Sequence, residues 1–265
     1  MPLIMGILNL TPDSFYVASR VKEMDICVAR CHAMLKDGAA IIDLGAQSTR
    51  PGSSLVSAEE EWRRLGPVLK ELSHSFPEAN FSIDTFYSFV AERAINCGAS
   101  IINDVSGGEV DTRLFDCIAS LKVPYILSHI KGTPQNMTQN THYDDVTRDV
   151  VKNLSGKINR LHQLGCADII IDPGFGFAKN TAQNFELLAN LRQLEILEKP
   201  VLVGISRKSM IWKTLGVSAN EALTGTIALN MMALERGASI LRVHDVNEAK
   251  ETILLYQQLA KYIPN

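Results

Sequence analysis

Short apolar runs alternate with amphipathic stretches along the whole chain. Eight of the runs read as strands, at residues 3–10, 40–44, 81–85, 100–105, 124–130, 168–172, 200–205 and 239–244. Several are nearly continuous in Ile, Val and Leu, the pattern of parallel strands covered on both faces. Between them the apolar period lengthens to that of a helix. Met24, Cys27, Val28, Cys31, Met34 and Leu35 mark one stripe, closed by Gly38 at the C′ position. Trp62, Leu65, Leu69, Leu72 and Phe76 mark the next, after Ser57–Ala58–Glu59–Glu60, which reads as a capping box. Val146, Val150, Leu154, Ile158 and Leu161 follow, closed by Gly165; a second capping box, Ser218 to Glu221, precedes a helix carrying Ile227, Met231 and Leu234. Strand then helix, eight times, predicts a single-domain (β/α)8 TIM barrel over residues 1–265. A doubly wound open sheet uses the same units. No GxGxxG follows the first strand and no shift in composition divides the chain, so the barrel is preferred.

In such a barrel the chemistry gathers where strands end and βα loops begin. Those positions hold Asn9, Asp43, Asp84, Asn103 with Asp104, His129, Asp172, Ser206 with Lys208, and Arg242 with His244. Any one of them could simply cap a helix or tie down a turn. Helix capping does not explain why cations gather on the last two strands while carboxylates and amides occupy the others. That division suits a ligand with two ends. Carboxylates and amides fit a flat, nitrogen-rich heterocycle; Arg50, Lys208, Arg242 and His244 offer positive charge to phosphate. Phe175 and Phe177, in "DPGFGF", would add an aromatic wall. The stretch "NLTPDSFYVASR", residues 9–20, is long for a connection and reads as a mobile lid.

Composition narrows the partners. With 26 basic and 29 acidic residues the net charge is −3, so no overall basic field recruits nucleic acid or a membrane surface. Hydrophobic residues are 46% of the chain, enough for a full core. The five cysteines show no CxxC or metal spacing and read as small buried hydrophobes. His32, His74, His142 and His162 also lack metal spacing and read as solvent-facing. The N-terminus lacks the flank and cleavage site of a signal peptide, so a cytoplasmic setting is expected.

The motifs "MGILNLTPDSF", "IDLGAQSTRPG", "SIDT", "IINDVSGG", "HIKGTPQNM", "IDPGFGFAKN", "LVGISRKSMI" and "RVHDV" occur in this order at the strand ends. Together they resemble the dihydropteroate synthase family from Ile4 to Val246. The resemblance implies condensation of 6-hydroxymethyl-7,8-dihydropterin diphosphate with p-aminobenzoate, giving 7,8-dihydropteroate and diphosphate. It implies that Asp84, Asn103, Asp172, Phe177 and Lys208 bind the pterin. Asn9, Thr49, Arg50, Arg242 and His244 would bind diphosphate, with Asn9 also helping to hold Mg2+. Thr49, Arg50, Ser206, Arg207 and Lys208 would shape the p-aminobenzoate end. Asp84, Asp172, Lys208 and Arg242 would carry the catalysis. A homodimer, formed through apolar stripes near the C-terminal helices, and sensitivity to sulfonamides are implied as well.

The sequence departs from the family pattern at its loops. Tyr16–Val17–Ala18–Ser19 replaces a common Ser-Asp-Gly-Gly, removing a carboxylate at Val17. Gln47 stands where a glutamate is common, and Ile130 where methionine is. Two other readings follow: a pterin-binding homologue with weakened catalysis, and a methyl-folate-dependent methyltransferase domain on a similar barrel. The "STRPG", "SRKS" and "RVHDV" segments argue against the second.

Overall fold

The computed structural model describes residues 1–10, 20–47, 55–133, 137 and 140–262. Its strands are β1 (Leu3–Asn9), β2 (Ile41–Gly45), β3 (Asn80–Asp84), β4 (Ile101–Asp104), β5 (Tyr125–Ser128), β6 (Ile169–Asp172), β7 (Val201–Val203) and β8 (Ala238–Val243). They close in sequence order into one parallel barrel, with β8 pairing back to β1. The helices are α1 (Arg20–Asp37), α2 (Ala58–Ser75), α3 (Ser88–Asn96), α4 (Leu114–Leu121), α5 (Val146–Gln163), α6 (Thr181–Ala189), α7 (Ser209–Leu215), α8 (Leu223–Glu235) and α9 (Val246–Ala260).

Each strand sorts its side chains by the two-residue period. Ile42 and Leu44, Phe81 and Ile83, Ile169 and Ile171, and Val201 and Val203 point outward into the large core beneath the helices. The alternate positions point into the barrel. Its lower interior is a separate apolar cluster of Met5, Ile41, Ile101, Ile126, Leu202 and Ile240. Two residues further along the same strands the chemistry changes. Asp43 follows Ile41, Asn103 follows Ile101 and Arg242 follows Ile240. The barrel is therefore dry and apolar at one end and ionic at the other, which places the site.

Several expectations need correction. The fifth and seventh strands are shorter than the apolar runs 124–130 and 200–205: each run opens on a proline that cannot donate to a ladder, and each strand also stops two residues before its run ends. His129, Ser206 and Lys208 thus lie in the following turns. Ser57 does cap α2, accepting from the Glu60 N–H, but the Glu60 carboxylate turns to Arg63 and Arg64, so the box is half made. The Ser218–Glu221 box closes on a 3-10 turn at Ala219–Glu221 rather than on α8 itself. On α8 the inward face is Thr226, Asn230, Ala233 and Leu234, while Ile227 is exposed. The proposed lid at residues 9–20 lies outside the described residues from Thr11 to Ser19.

Candidate active site

Four neighbouring strands end level with one another: Asn9 pairs in register with Gly45, Gly45 with Asp84, and Asp84 with Asn103. Gly45 matters because a side chain there would sit 3.6 Å from both the Asn9 Oδ1 and the Asp84 carboxylate. Across the barrel Arg242 reaches back to this row. Its Nε donates to Asp43 Oδ2 at 2.7 Å and its Nη2 to Asp84 Oδ2 at 2.8 Å. Asn103 Nδ2 donates to the same Asp43 oxygen at 3.0 Å. Burial raises Asp84 above the usual carboxylate range, with Arg242 opposing and Asp43 adding to the rise. Burial likewise disfavours the Arg242 charge, but Asp43 and Asp84 outweigh it and hold the guanidinium firmly protonated. Among the described residues, Asn103 Oδ1 and Asp43 Oδ1 are buried and meet no donor, so this wall offers acceptors to a ligand.

Asp172 ends β6 beside this wall. Its Oδ1 accepts the Gly174 N–H at 2.7 Å, and burial raises its affinity for a proton while Lys208 opposes. The turn that follows is tight. Gly174 has φ +72°, and a side chain there would run into the His129 carbonyl. Lys208 donates to the Phe175 carbonyl, and its ammonium lies 4.7 Å above the Phe177 ring. Burial pushes Lys208 down to about 8, against the pull of Asp172. Of the two aromatics expected to form a wall, only Phe177 does. Phe175 points outward and is wholly buried in the core beneath the helices.

The opposite side of the mouth carries Ser206, Arg207 and His244. Ser206 Oγ lies 2.9 Å from His244 Nδ1 and accepts the His244 backbone N–H at 3.3 Å. The two contacts tie the His244 ring and backbone to the β7 turn. Desolvation, then the Arg242 charge, push His244 below the usual histidine range, with Asp245 opposing the fall. His244 is therefore a neutral donor at neutral pH, not the cation its place in the sequence suggested. Arg207 adopts a left-handed backbone, φ +53°, and grips Asp245 with two bonds of 2.9 Å. It also donates to the Asn220 carbonyl, so its charge is spent on joining the β7 and β8 loops. Thr49 and Arg50 lie outside the described residues.

Sequence reasoning missed two participants. Asp43 was visible as a strand-end residue, but nothing local revealed that it would share Arg242 with Asp84. Lys179 lay inside the "IDPGFGFAKN" motif, but nothing in the sequence showed that it turns inward; it is buried, and its Nζ contacts His129 and two carbonyls. For a divalent cation the hard oxygen of Asn9 is suitable, exposed at the mouth. Among the described residues no group of three or more His, Cys, Asp or Glu side chains could hold a metal. A Mg2+ ion here would suit a site in which phosphate oxygens complete the shell.

The fold and this mouth define a pterin-binding barrel enzyme. The family described as Pterin binding enzyme matches residues 5–244. Dihydropteroate synthase of Escherichia coli K12 is 40% identical over 254 residues, covering 95% of this chain and 89% of that one. A structure of the Xanthomonas albilineans dihydropteroate synthase with 4-aminobenzoic acid superposes with TM-score 0.90 at 37% identity, covering 99% and 94% of the two chains. The Clostridium difficile enzyme, solved in the presence of pteroic acid, gives TM-score 0.91 at 37% identity over 97% and 96%. The chain belongs to the dihydropteroate synthase family of transferases. Among the described residues no helix is long and apolar enough to cross a membrane.

Proposed function

We propose that this barrel mouth performs the family's condensation by dividing the substrate between an acceptor wall and a donor wall. The observation that carries this reading is that Arg242 reaches Asp84, level with Asn103, while Lys208 and Asp172 are electrostatic neighbours at the same mouth. The carboxylates and the Asn103 amide match the N–H and C=O groups along a pterin edge. Phe177 and the stem of Lys208 supply flat contact to the ring. The diphosphate would extend toward Arg242, the His244 ring and Asn9, with Thr49 and Arg50 from the second loop.

The residues then act on charge. As the bond from the exocyclic carbon to diphosphate oxygen breaks, its electron pair leaves with diphosphate. Arg242 and His244 stabilise the departing charge, an electrostatic role that dominates many active sites. Asp84 and Asp172 stabilise the positive charge left on the pterin. The aniline nitrogen of p-aminobenzoate bonds the carbon and releases a proton. No side-chain nucleophile is needed. Asn9 would hold Mg2+, which when bound supplies charge neutralisation to phosphate oxygens. Ser206, Arg207 and Lys208 would border the p-aminobenzoate, with Arg207 acting through the loop it braces. A homodimer through the outer faces of α8 and α9 completes the proposal.

The test is diphosphate release from dihydropterin diphosphate with and without p-aminobenzoate. Release that requires p-aminobenzoate, with dihydropteroate formed in equal amount, supports the reading. Release indifferent to p-aminobenzoate sinks it. Tyr16–Val17–Ala18–Ser19 favours one second reading, a homologue that binds pterin but turns over slowly. Restoring an aspartate at Val17 should then raise kcat without changing pterin affinity.

A further inference from the structure

The turn after Asp172 is held in an unusual way. Gly174 and Gly176 are left-handed, and so is Ala178, at φ +52°, where an L-residue is strained by roughly 1–2 kcal/mol. Two buried side chains moor it. Asn184 on α6 accepts the Gly176 N–H at 2.6 Å and donates to the Lys179 and Asn180 carbonyls. Lys179 folds inward beneath the turn. Its Nζ lies 3.0 Å from the Gly174 carbonyl, 3.1 Å from that of Phe177 and 2.9 Å from His129 Nδ1, at the end of β5.

Three acceptors surround a group with three protons. A neutral amine would close the same triangle, with His129 donating from Nδ1, but would leave Lys208 as the nearest compensation for Asp172. Burial pushes Lys179 down to about 7, with Asp172 opposing the fall, and either protonation state keeps the three contacts. The other charges around the group are Lys208 and Arg242, which act on Asp172, and Lys157 of α5 and Lys131 on the loop after β5, which act on His129 while pairing with Glu109 and the His142 carbonyl.

We infer that Lys179 is a positioning residue for the pterin end: its buried Nζ ties the turn that follows Asp172 to His129, just beyond β5, and so sets where Phe177 and Lys208 stand. The inference rests on the pterin reading of the site. The two carbonyl bonds hold the backbone on either side of the Phe175 carbonyl that receives Lys208, and the His129 contact holds that backbone against the neighbouring strand end.

Lys179→Met removes all three contacts, whereas Lys179→Gln keeps a donor for the carbonyls. The probe is 6-hydroxymethylpterin, titrated calorimetrically into wild type and both variants at neutral pH. Lys179→Met should bind it at least tenfold more weakly than wild type, and Lys179→Gln should recover part of that loss. Lys179→Gln should melt close to wild type. In turnover, the KM for dihydropterin diphosphate should rise while that for p-aminobenzoate, at saturating pterin, stays within twofold. Unchanged pterin affinity in soluble variants would overturn the inference, as would equal loss of both substrates. Should Lys179→Met not fold, Lys179→Gln decides on the same criteria. A wild type that fails to bind the pterin would overturn the pterin reading itself, a result distinct from binding that ignores position 179.

Discussion

Arg242 joins what the sequence presents as separate halves of the site. Its contacts with Asp43 and Asp84 span 199 and 158 positions of chain, so no local pattern could announce them. They change what each mutation should do. Arg242→Ala leaves Asp84 beside Asp43 with their shared cation gone, which favours a protonated Asp84. Because Arg242 lowers the pKa of Asp84, its removal raises that pKa further, and the carboxylate is lost as pH falls. Arg242→Ala should therefore weaken pterin binding as well as diphosphate binding, and the pterin defect should narrow from pH 7 to pH 9. Calorimetry with 6-hydroxymethylpterin measures this; a defect of the same size at both pH values would contradict it. Asp43→Ala strips the guanidinium of one partner and leaves the Asn103 amide without its acceptor. Breaking a buried pair in this way costs about 3–5 kcal/mol, read as a lower urea midpoint at unchanged slope.

At the scale of elements, the barrel was legible because its outward strand faces and helical stripes obey plain periodicities. The stripes from Trp62 to Phe76 and from Val146 to Leu161 are buried or half-buried throughout. Periodicity assigns a side chain to a face but not to a partner across the barrel. Hence Asp84, Asn103 and Asp172 could be read as mouth residues, whereas the shared grip on Arg242 and the inward course of Lys179 could not. The departure at Gln47 gains a physical meaning in the same way. Gln47 closes a clamp between the end of β2 and the start of α2: its Nε2 donates to the Val56 carbonyl at 3.0 Å and to Glu61 at 2.7 Å. Its Oε1 accepts the Val56 N–H at 3.2 Å. Glu61 is fully buried, and burial lifts it to about 7, with Thr85 and Gln47 opposing. A carboxyl raised above its unfolded value contributes stability at low pH that is lost as pH rises through the folded pKa. Wild type should thus lose about 3 kcal/mol relative to Glu61→Gln between pH 4.5 and 8. Chemical denaturation across that range checks it; parallel stability curves would contradict it. Gln47→Glu sets a second carboxyl against the first, so its stability should fall more steeply above pH 7 than that of wild type.

For the whole molecule, the question is what covers the outer faces of α8 and α9. These helices pack on each other, and α8 is apolar nearly all round, a character that fits a helix buried on more than one side. Yet Ile227 and Met232 on α8, and Leu254, Leu255 and Leu259 on α9, remain exposed. The chain as a whole has ordinary hydrophobic content, so a concentration of large apolar side chains on adjoining helices is the feature to explain. A second copy of the chain, pairing the same faces about a two-fold axis, would bury them without an opposite charge pattern on either side. The active-site residues described here come from every part of one barrel, so pairing would support the fold without completing the chemistry. Two consequences can be separated by experiment. Sedimentation should give twice the chain mass for wild type, and the chain mass for a Met232→Asp, Leu255→Asp variant. Because both side chains already face outward, the variant should remain folded and keep its pterin affinity within about threefold, as expected of exposed positions remote from the site. A wild type that sediments as a monomer at micromolar concentration would remove the dimer from the proposal. A variant that stays dimeric would place the interface on another face of the barrel.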